Sequence, residues 1–378
     1  MQVIYLISFL FFLPYTALLI YYRQSWLSIP TFKPEVNAPP ATKISIIIPA
    51  RNEEENIAAC LDSIIHQNYP AHLFEVLVVD DHSTDNTAHI ILGYQHKNVK
   101  LICLKDFIGP NEINSYKKKA IEIAIQQSTG ELIVTTDADC IASYKWLSTI
   151  EAFYEARNPE FIVMPVAINS SSRFIEIFQA LDFMTLQGIT GASVYKKFHS
   201  MCNGANLAYT KKAFIAVDGF KGIDNIASGD DMLLLHKIYT SYLNGIAYLK
   251  STEAIIQTQP VHSVGQFFNQ RIRWASKADK YDDKRIFVVL LLVYFFNVWI
   301  LLVGIGAFFF PIASHLFILL IVKTIVELLF LFPVASFFNQ LKLLRWFPIA
   351  QPFHVLYTVI AGWLGKFGSY QWKERKVS

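Results

Sequence analysis

Residues 44–57 read ISIIIPARNEEENI, and this stretch decides the fold. Ile44 to Ile48 is a near-continuous β-branched run, the pattern of a strand buried on both faces, as in a parallel sheet. Pro49 is expected to stop it, and a helix is expected from Glu53 to Gln67. Working outward, Phe74 to Asp80 (FEVLVVD) reads as a second buried strand. Thr84 to Tyr94 reads as a helix with Ser83 or Thr84 as its N-cap. Val99 to Cys103 is a short strand, Ser115 to Gln127 a helix, and Glu131 to Thr136 (ELIVTT) a fourth strand. Strands alternating with helices argue an α/β domain with a mostly parallel sheet. Upstream, Glu35 to Thr42, with Pro34, Pro39 and Pro40 around it, reads as a linker.

The ends of the chain are different. Of 378 residues, 53% are hydrophobic and 17% charged, against roughly a quarter charged in ordinary globular domains. The mean hydropathy is +0.34. The apolar excess sits at the two ends. Met1 to Tyr22 has no charged residue and is long enough to cross a bilayer. Its first charge, Arg23, follows the apolar run, which favours a retained anchor over a cleaved signal. Ile286 to Phe310 is a second uncharged apolar stretch. Leu316 to Phe338 is a third, broken only by Lys323 and Glu327, which share a helix face and can pair as a clasp. Phe347 to Leu364 is weaker and is expected to lie at the interface or to span. This divides the chain into an anchor (1–22), a linker (23–42), a catalytic domain (43–285), three C-terminal apolar segments (286–310, 316–338 and 347–364) and a basic tail (365–378).

Lys and Arg flank these segments unevenly. Arg23 and Lys33, then Lys277, Lys280, Lys284 and Arg285, then Lys342 and Arg345, fall on one side if the N-terminus is outside and the central domain is cytoplasmic. The tail, with Lys366, Lys373, Arg375 and Lys376, joins them if the last segment does not span. The net charge of +3 gives no reason to expect a nucleic-acid partner. Cys60, Cys103, Cys140 and Cys202 are far apart, so free thiols are expected rather than a disulfide framework or a zinc site. His66, His82, His199 and His262 show no ligand spacing, and Phe174, Phe178 and Leu181 read as a packing face.

In open α/β sheets, ligands bind beyond the carboxyl ends of the strands. Polar residues gather at three such ends: Pro49-Ala50-Arg51-Asn52-Glu53, Asp80-Asp81 and Asp137-Ala138-Asp139. Alternating aspartates leaving a buried strand can put both carboxylates near one hard divalent cation. Such a cation, sharing its shell with phosphate oxygens, neutralises a departing diphosphate.

With these stretches in hand, the chain resembles the inverting family 2 glycosyltransferases of the GT-A fold. The resemblance rests on ISIIIPARNEEENI, EVLVVDDHSTDNT, KKKAIEIAIQQSTGELIVTTDADC, NGANLAYTKKAFIAVDGF, SGDDMLLL and QRIRW, six motifs in family order over roughly residues 43–280. It implies a nucleotide-sugar donor, Mn²⁺ or Mg²⁺, and a membrane lipid or saccharide acceptor at the lipid bilayer. The segment Pro49, Ala50, Arg51 and Glu53, together with Asp81, would hold base and ribose. Lys117 and Asp137 would lie by the donor, Asp139 would ligate the metal, and Asp231 would be the catalytic carboxylate beside Asp230. Asn203 and Gly204 would meet the acceptor. QRIRW matches a motif of membrane-bound polysaccharide synthases, implying Arg273 on the diphosphate and Gln270 and Trp274 at the acceptor. Tyr116 stands where relatives usually carry Gly.

Asp231 would act as general base on the acceptor hydroxyl, with Asp230 raising its pKa by like-charge repulsion. The same residues also suit a helix start, with Ser228 and Gly229 before MLLLHKI. Arg271 and Arg273, two apart, cannot share a helix face, so one at most faces the diphosphate, and Arg273 is expected there. Trp274 serves equally as an acceptor platform or an interfacial anchor. Two other enzyme readings are a processive polysaccharide synthase and a metal-dependent nucleotidyltransferase. The latter calls for a Gly-rich phosphate loop after the first strand, which PARNEEE does not supply. A transporter would not carry the water-soluble stretch 43–285.

Overall fold

The computed structural model describes residues 2–34, 39–109, 113–199, 201–226, 229–277, 283–367, 370–372 and 375–377. Ser228, Lys280, Lys373 and residues 35–38 of the expected linker lie outside them. The chain forms two compact units. One comprises Pro30–Ala167 and Ser200–Gln259; the other comprises Met1–Ile29, Ile168–His199 and Pro260–Ser378. The stretch 43–285 therefore contributes residues to both.

The first unit is an α/β layer. Its strands are β1 (Ile44–Ala50), β2 (Phe74–Asp80), β3 (Val99–Cys103), β4 (Leu132–Thr135), β5 (Ile141–Ala142), β6 (Phe161–Val163), β7 (Val166–Ile168), β8 (Leu207–Thr210), β9 (Ile246–Tyr248) and β10 (Ile256–Thr258). Among the described residues, seven make one sheet in the order β3-β2-β1-β4-β8-β6-β9. β1, β2, β3 and β4 run parallel, as the sequence predicts, with Ile44 opposite Phe74 and Leu132. β8 runs antiparallel to both β4 and β6, so the sheet is mixed. β5, β10 and β7 form a smaller sheet. The helices of this unit are α2 (Ile57–Ile65), α3 (Thr87–Leu92), α4 (Tyr116–Gln127), α5 (Trp146–Arg157), α7 (Lys211–Ala216) and α8 (Met232–Ser241). The β-branched run of β1 is fully buried at Ile44, Ile46, Ile47 and Ile48, the burial that makes a two-sided apolar strand favourable.

Two boundaries differ from expectation, each for a visible reason. β1 runs through Pro49 to Ala50. Its pairing with β4 ends at Ile47, so the N–H that Pro49 lacks is not needed by that ladder. The helix expected from Glu53 begins only at Ile57. The backbone N–H groups of Asn52, Glu53 and Glu54 are instead taken by Ser83 Oγ (3.0 Å), Thr87 Oγ1 (2.8 Å) and Asp85 Oδ2 (3.1 Å). Asn52 Oδ1 in return accepts from the Thr84 N–H at 2.9 Å. Ser83 and Thr84 are thus occupied by the neighbouring loop, and Asn86 sits at the N-terminus of α3.

The second unit is helical: α1 (Gln2–Ser28), α6 (Phe174–Lys196), α9 (Val264–Ala275), α10 (Lys284–Gly306), α11 (Ala313–Phe337) and α12 (Phe347–Phe367). Among the described residues, α1, α10 and α11 are the three helices long and apolar enough to cross a membrane. α6 meets α11 at Gly188, where a Cβ would lie 2.6 Å from Val334 Cγ2 and 2.9 Å from Phe330 Cζ; no larger residue fits that approach. Lys323 and Glu327 do pair, at 2.5 Å. Lys323 also donates to Gln351 Oε1 at 3.0 Å, and Glu327 accepts from Tyr15 and from Gln351. The clasp therefore joins α11 to α1 and α12.

Candidate active site

The loops after β1 and β2 are clipped together by the hydrogen bonds described above, and this fixes the first part of the site. Arg51 Nη1 donates to the carbonyls of Asp81 (2.8 Å) and His82 (3.1 Å), and the Asp81 N–H donates to Ala50 O (2.8 Å). Asp81 is buried, and His82 Nδ1 lies 3.0 Å from its carboxylate while His82 Nε2 contacts Ile108 O. His82, which the spacing marked as ordinary, has φ +54° and orients one of the expected donor residues. Arg51, Asp81 and Ala50 are thus in contact. Pro49 leads into them, and Glu53 caps the turn by accepting from Asn56 Nδ2 (2.9 Å).

The second part centres on Lys117, in the first turn of α4. Its Nζ bridges Asp137 Oδ1 (2.7 Å), just beyond β4, and Asp230 Oδ2 (3.2 Å). Burial by itself would lower this lysine's pKa, but Asp137, Asp230 and Asp231 outweigh it and hold the ammonium well above its ordinary range. Asp230 is therefore offset by a cation, rather than acting on Asp231 alone as the sequence suggested. Asp231 is the N-cap of α8: Oδ1 accepts from the Met232 N–H (2.7 Å) and Oδ2 from the Gly204 N–H (3.1 Å). The position expected to be catalytic is also a helix start, and the cap fixes its carboxylate. Gly204 makes this approach close. A Cβ on it would lie 3.2 Å from Asp230 Oδ2 and 3.3 Å from Lys117 Nζ. Asn203 braces that turn by accepting from the Ala205 N–H at 2.9 Å.

Asp139 Oδ2 accepts from Thr258 Oγ1 (3.3 Å) and Oδ1 from Cys140 Sγ (3.6 Å). Thr258, on β10, was not legible in the sequence, because no local pattern marks it. Asn206 was also missed as a support. It accepts from Trp146 Nε1 (3.1 Å) and donates to Pro165 O and Ala254 O, pinning the NGAN turn. All four cysteines are free thiols. Among the described residues no group of three or more His, Cys, Asp or Glu forms a metal cage. The donor set nonetheless fits a hard cation. Asp137 and Asp139 are half-exposed carboxylates, and Mg²⁺-type ions need only one or two of these when phosphate and water complete the shell.

Gln270, Arg273 and Trp274 lie on α9, in the helical unit. Gln270 Oε1 accepts from Arg271 Nη1 at 2.8 Å. Arg271 is buried and paired with Asp182 (2.7 Å), whereas Arg273 and Trp274 are half-exposed.

A mixed α/β sheet with Asp137 just beyond a strand end, bridged by Lys117 to Asp230 at a helix start, fits the class of enzymes that act on phosphorylated donors. The family models make that class specific. Glycosyl transferase family 2 matches residues 45–217, and Glycosyl transferase family group 2 matches residues 132–363. The chain belongs to the family 2 glycosyltransferases, as the motifs implied. It is 25% identical over 266 residues to the glycosyltransferase AglE of Haloferax volcanii, covering 66% of this chain and 79% of that one. It is 23% identical to the probable glycosyltransferase YdaM of Bacillus subtilis, covering 68% and 63%. It is 32% identical over 124 residues to the poly(ribitol-phosphate) β-N-acetylglucosaminyltransferase TarS of Staphylococcus aureus, a stretch of only 20% of that protein. A mannosyltransferase from Pyrobaculum calidifontis, solved with GDP-Man and Mn²⁺, shares the fold, with a TM-score of 0.57 at 18% identity over 94% of this chain and 98% of that one.

Proposed function

We propose that this glycosyltransferase moves a sugar, with inversion, from a nucleotide-sugar donor bound with Mg²⁺ or Mn²⁺ to a membrane-associated acceptor, its α/β unit facing the cytoplasm. The observation that carries the reading is the meeting of Lys117, Asp137, Asp230 and Asp231 around Gly204. Three carboxylates against one ammonium leave excess negative charge in a half-exposed cluster. A cation-bound diphosphate answers that excess.

The roles follow those that the family resemblance implies. Pro49, Ala50, Arg51, Glu53 and Asp81 form the cradle for base and ribose. Asp137 and Lys117 would face the donor, and Asp139 would hold the cation, which when bound would neutralise the leaving diphosphate. Asp231 takes the proton of the attacking hydroxyl, a contribution of about 10²–10⁴-fold. Held by two backbone N–H groups, its carboxylate needs little rearrangement to do so. Asn203, Gly204, Gln270 and Trp274 serve the acceptor, and Arg273 the diphosphate. The three apolar helices and the Lys and Arg flanking them support a membrane-bound enzyme with a cytoplasmic catalytic unit.

The test is a hydrolysis and transfer screen of the purified full chain with UDP-glucose, UDP-GlcNAc and GDP-mannose, with Mg²⁺ or Mn²⁺. One donor is expected to turn over, and excess chelator to abolish it. Full activity in Asp139→Ala and Asp231→Ala would overturn the assignment.

A further inference from the structure

We propose that the buried Asp182–Arg271 ion pair is a positioning device that sets the orientation of the Trp274 indole, and through it acceptor use; the second half of this rests on the acceptor role given to Trp274 above. Phe267, Arg271 and Trp274 follow one another at i, i+4 and i+7 of α9, so they line one face. The guanidinium lies between the two rings: its Cζ is 4.7 Å from the Phe267 centroid and 4.2 Å from that of Trp274. Arg271 Nη2 meets Asp182 Oδ2, on α6, at 2.7 Å, with side-chain exposures of only 4% and 6%. Asp182 Oδ1 accepts from Tyr357 of α12, and His354 Nε2 stands 3.9 Å away. Gln270 takes another guanidinium proton. Asp182 of α6, itself held by Tyr357 of α12, and Gln270 of α9 thus hold one planar cation against an indole that itself stays half-exposed.

The stability ledger gives no reason for such an arrangement. A buried ion pair is often no better than apolar residues of the same volume, whereas a planar cation anchored by a carboxylate and backed by one ring can hold a second ring against it. Cation–π attraction strengthens where water is excluded, so the indole follows the guanidinium rather than rotating freely. Of the two arginines in QRIRW, Arg271 is then the positioning residue, and Arg273 keeps the diphosphate role proposed above.

The experiment uses the full chain in nanodiscs, labelled with 5-fluorotryptophan, with the Trp274 ¹⁹F resonance identified by its loss in Trp274→Phe. In Asp182→Asn that resonance is expected to move and broaden while the others hold. Tyr357→Phe should move it less, and Asp182→Glu should restore it. With octyl β-D-glucoside as acceptor probe, the ratio of transfer to donor hydrolysis should fall about 10- to 100-fold in Asp182→Asn, the scale of a misplaced contact. Hydrolysis itself should stay within about twofold, since the donor site is untouched. An unmoved Trp274 resonance in both Asp182→Asn and Tyr357→Phe overturns the inference, and so does a moved resonance with an unchanged ratio. Wild-type transfer in Trp274→Phe would instead overturn the acceptor role of Trp274, which separates that failure from this one.

Discussion

Each unit of this molecule contains a lysine among acidic and polar partners, and the two clusters behave differently. In the helical unit, Lys323 and Glu327 are both buried, charge balances charge, and Tyr15 and Gln351 supply further hydrogen bonds. In the α/β unit, Lys117 faces Asp137, Asp230 and Asp231, the groups are half-exposed, and negative charge is left over. A balanced cluster has finished its chemistry on folding. An unbalanced, open one calls for a cationic partner. The contrast teaches that charge balance and access, not the presence of a buried lysine, separate a clasp from a site.

The largest effect that could break this contrast is at Asp231. Asp231→Asn keeps the N-cap shape and removes the proposed base. We expect kcat to fall about 10²–10⁴-fold with donor KM little changed, measured by steady-state transfer. If the loss appears in KM alone, Asp231 binds rather than catalyses. Next is the clasp. Lys323→Met leaves Glu327 charged and uncompensated, costing about 3–5 kcal/mol, whereas Lys323→Met with Glu327→Leu should recover most of it. Thermal unfolding in detergent reads this out, and activity per folded molecule should not change. Equal destabilisation in single and double variants would mean the clasp stabilises outright.

Lys117→Met should lower kcat/KM about 10- to 100-fold, the worth of a lost charge-assisted contact of about 1.5–3 kcal/mol, and weaken donor more than it weakens the fold. Gly204→Ala should cost about tenfold in activity with a near-normal unfolding curve, because its Cβ would push on the movable ends of Asp230 and Lys117. The smallest effect concerns pH. Burial holds Lys250 down at about 8, against an ordinary 10.5. Between those values the unfolded chain binds more protons than the folded one, so this group makes stability rise with pH across the window. Lys250→Met should flatten that slope in a melting-temperature series; an unaltered slope would show that the lysine titrates normally.

Much of this was legible in the residues because local pattern fixes local structure. The two-sided apolar runs of β1, β2 and β4 required a buried parallel core, and apolar stretches at both ends required apolar helices. The carboxylates at the ends of these strands announced a site, since an apolar core has no use for them. The helix expected from Glu53 began later because Ser83, Thr87 and Asp85, some thirty residues on, capture its first N–H groups. Thr258 on Asp139, Asn206 under the NGAN turn, and Asp182 on Arg271 left no trace in sequence spacing, because each joins segments far apart in the chain. By itself, then, the sequence determined the first four strands, the apolar helices and the family of chemistry the chain carries: periodicity and residue type are local properties. Only the tertiary structure decided which aspartate answers Lys117, which arginine is spent on Asp182, and which lysine is balanced, because those pairings depend on where the folded backbone brings distant side chains together.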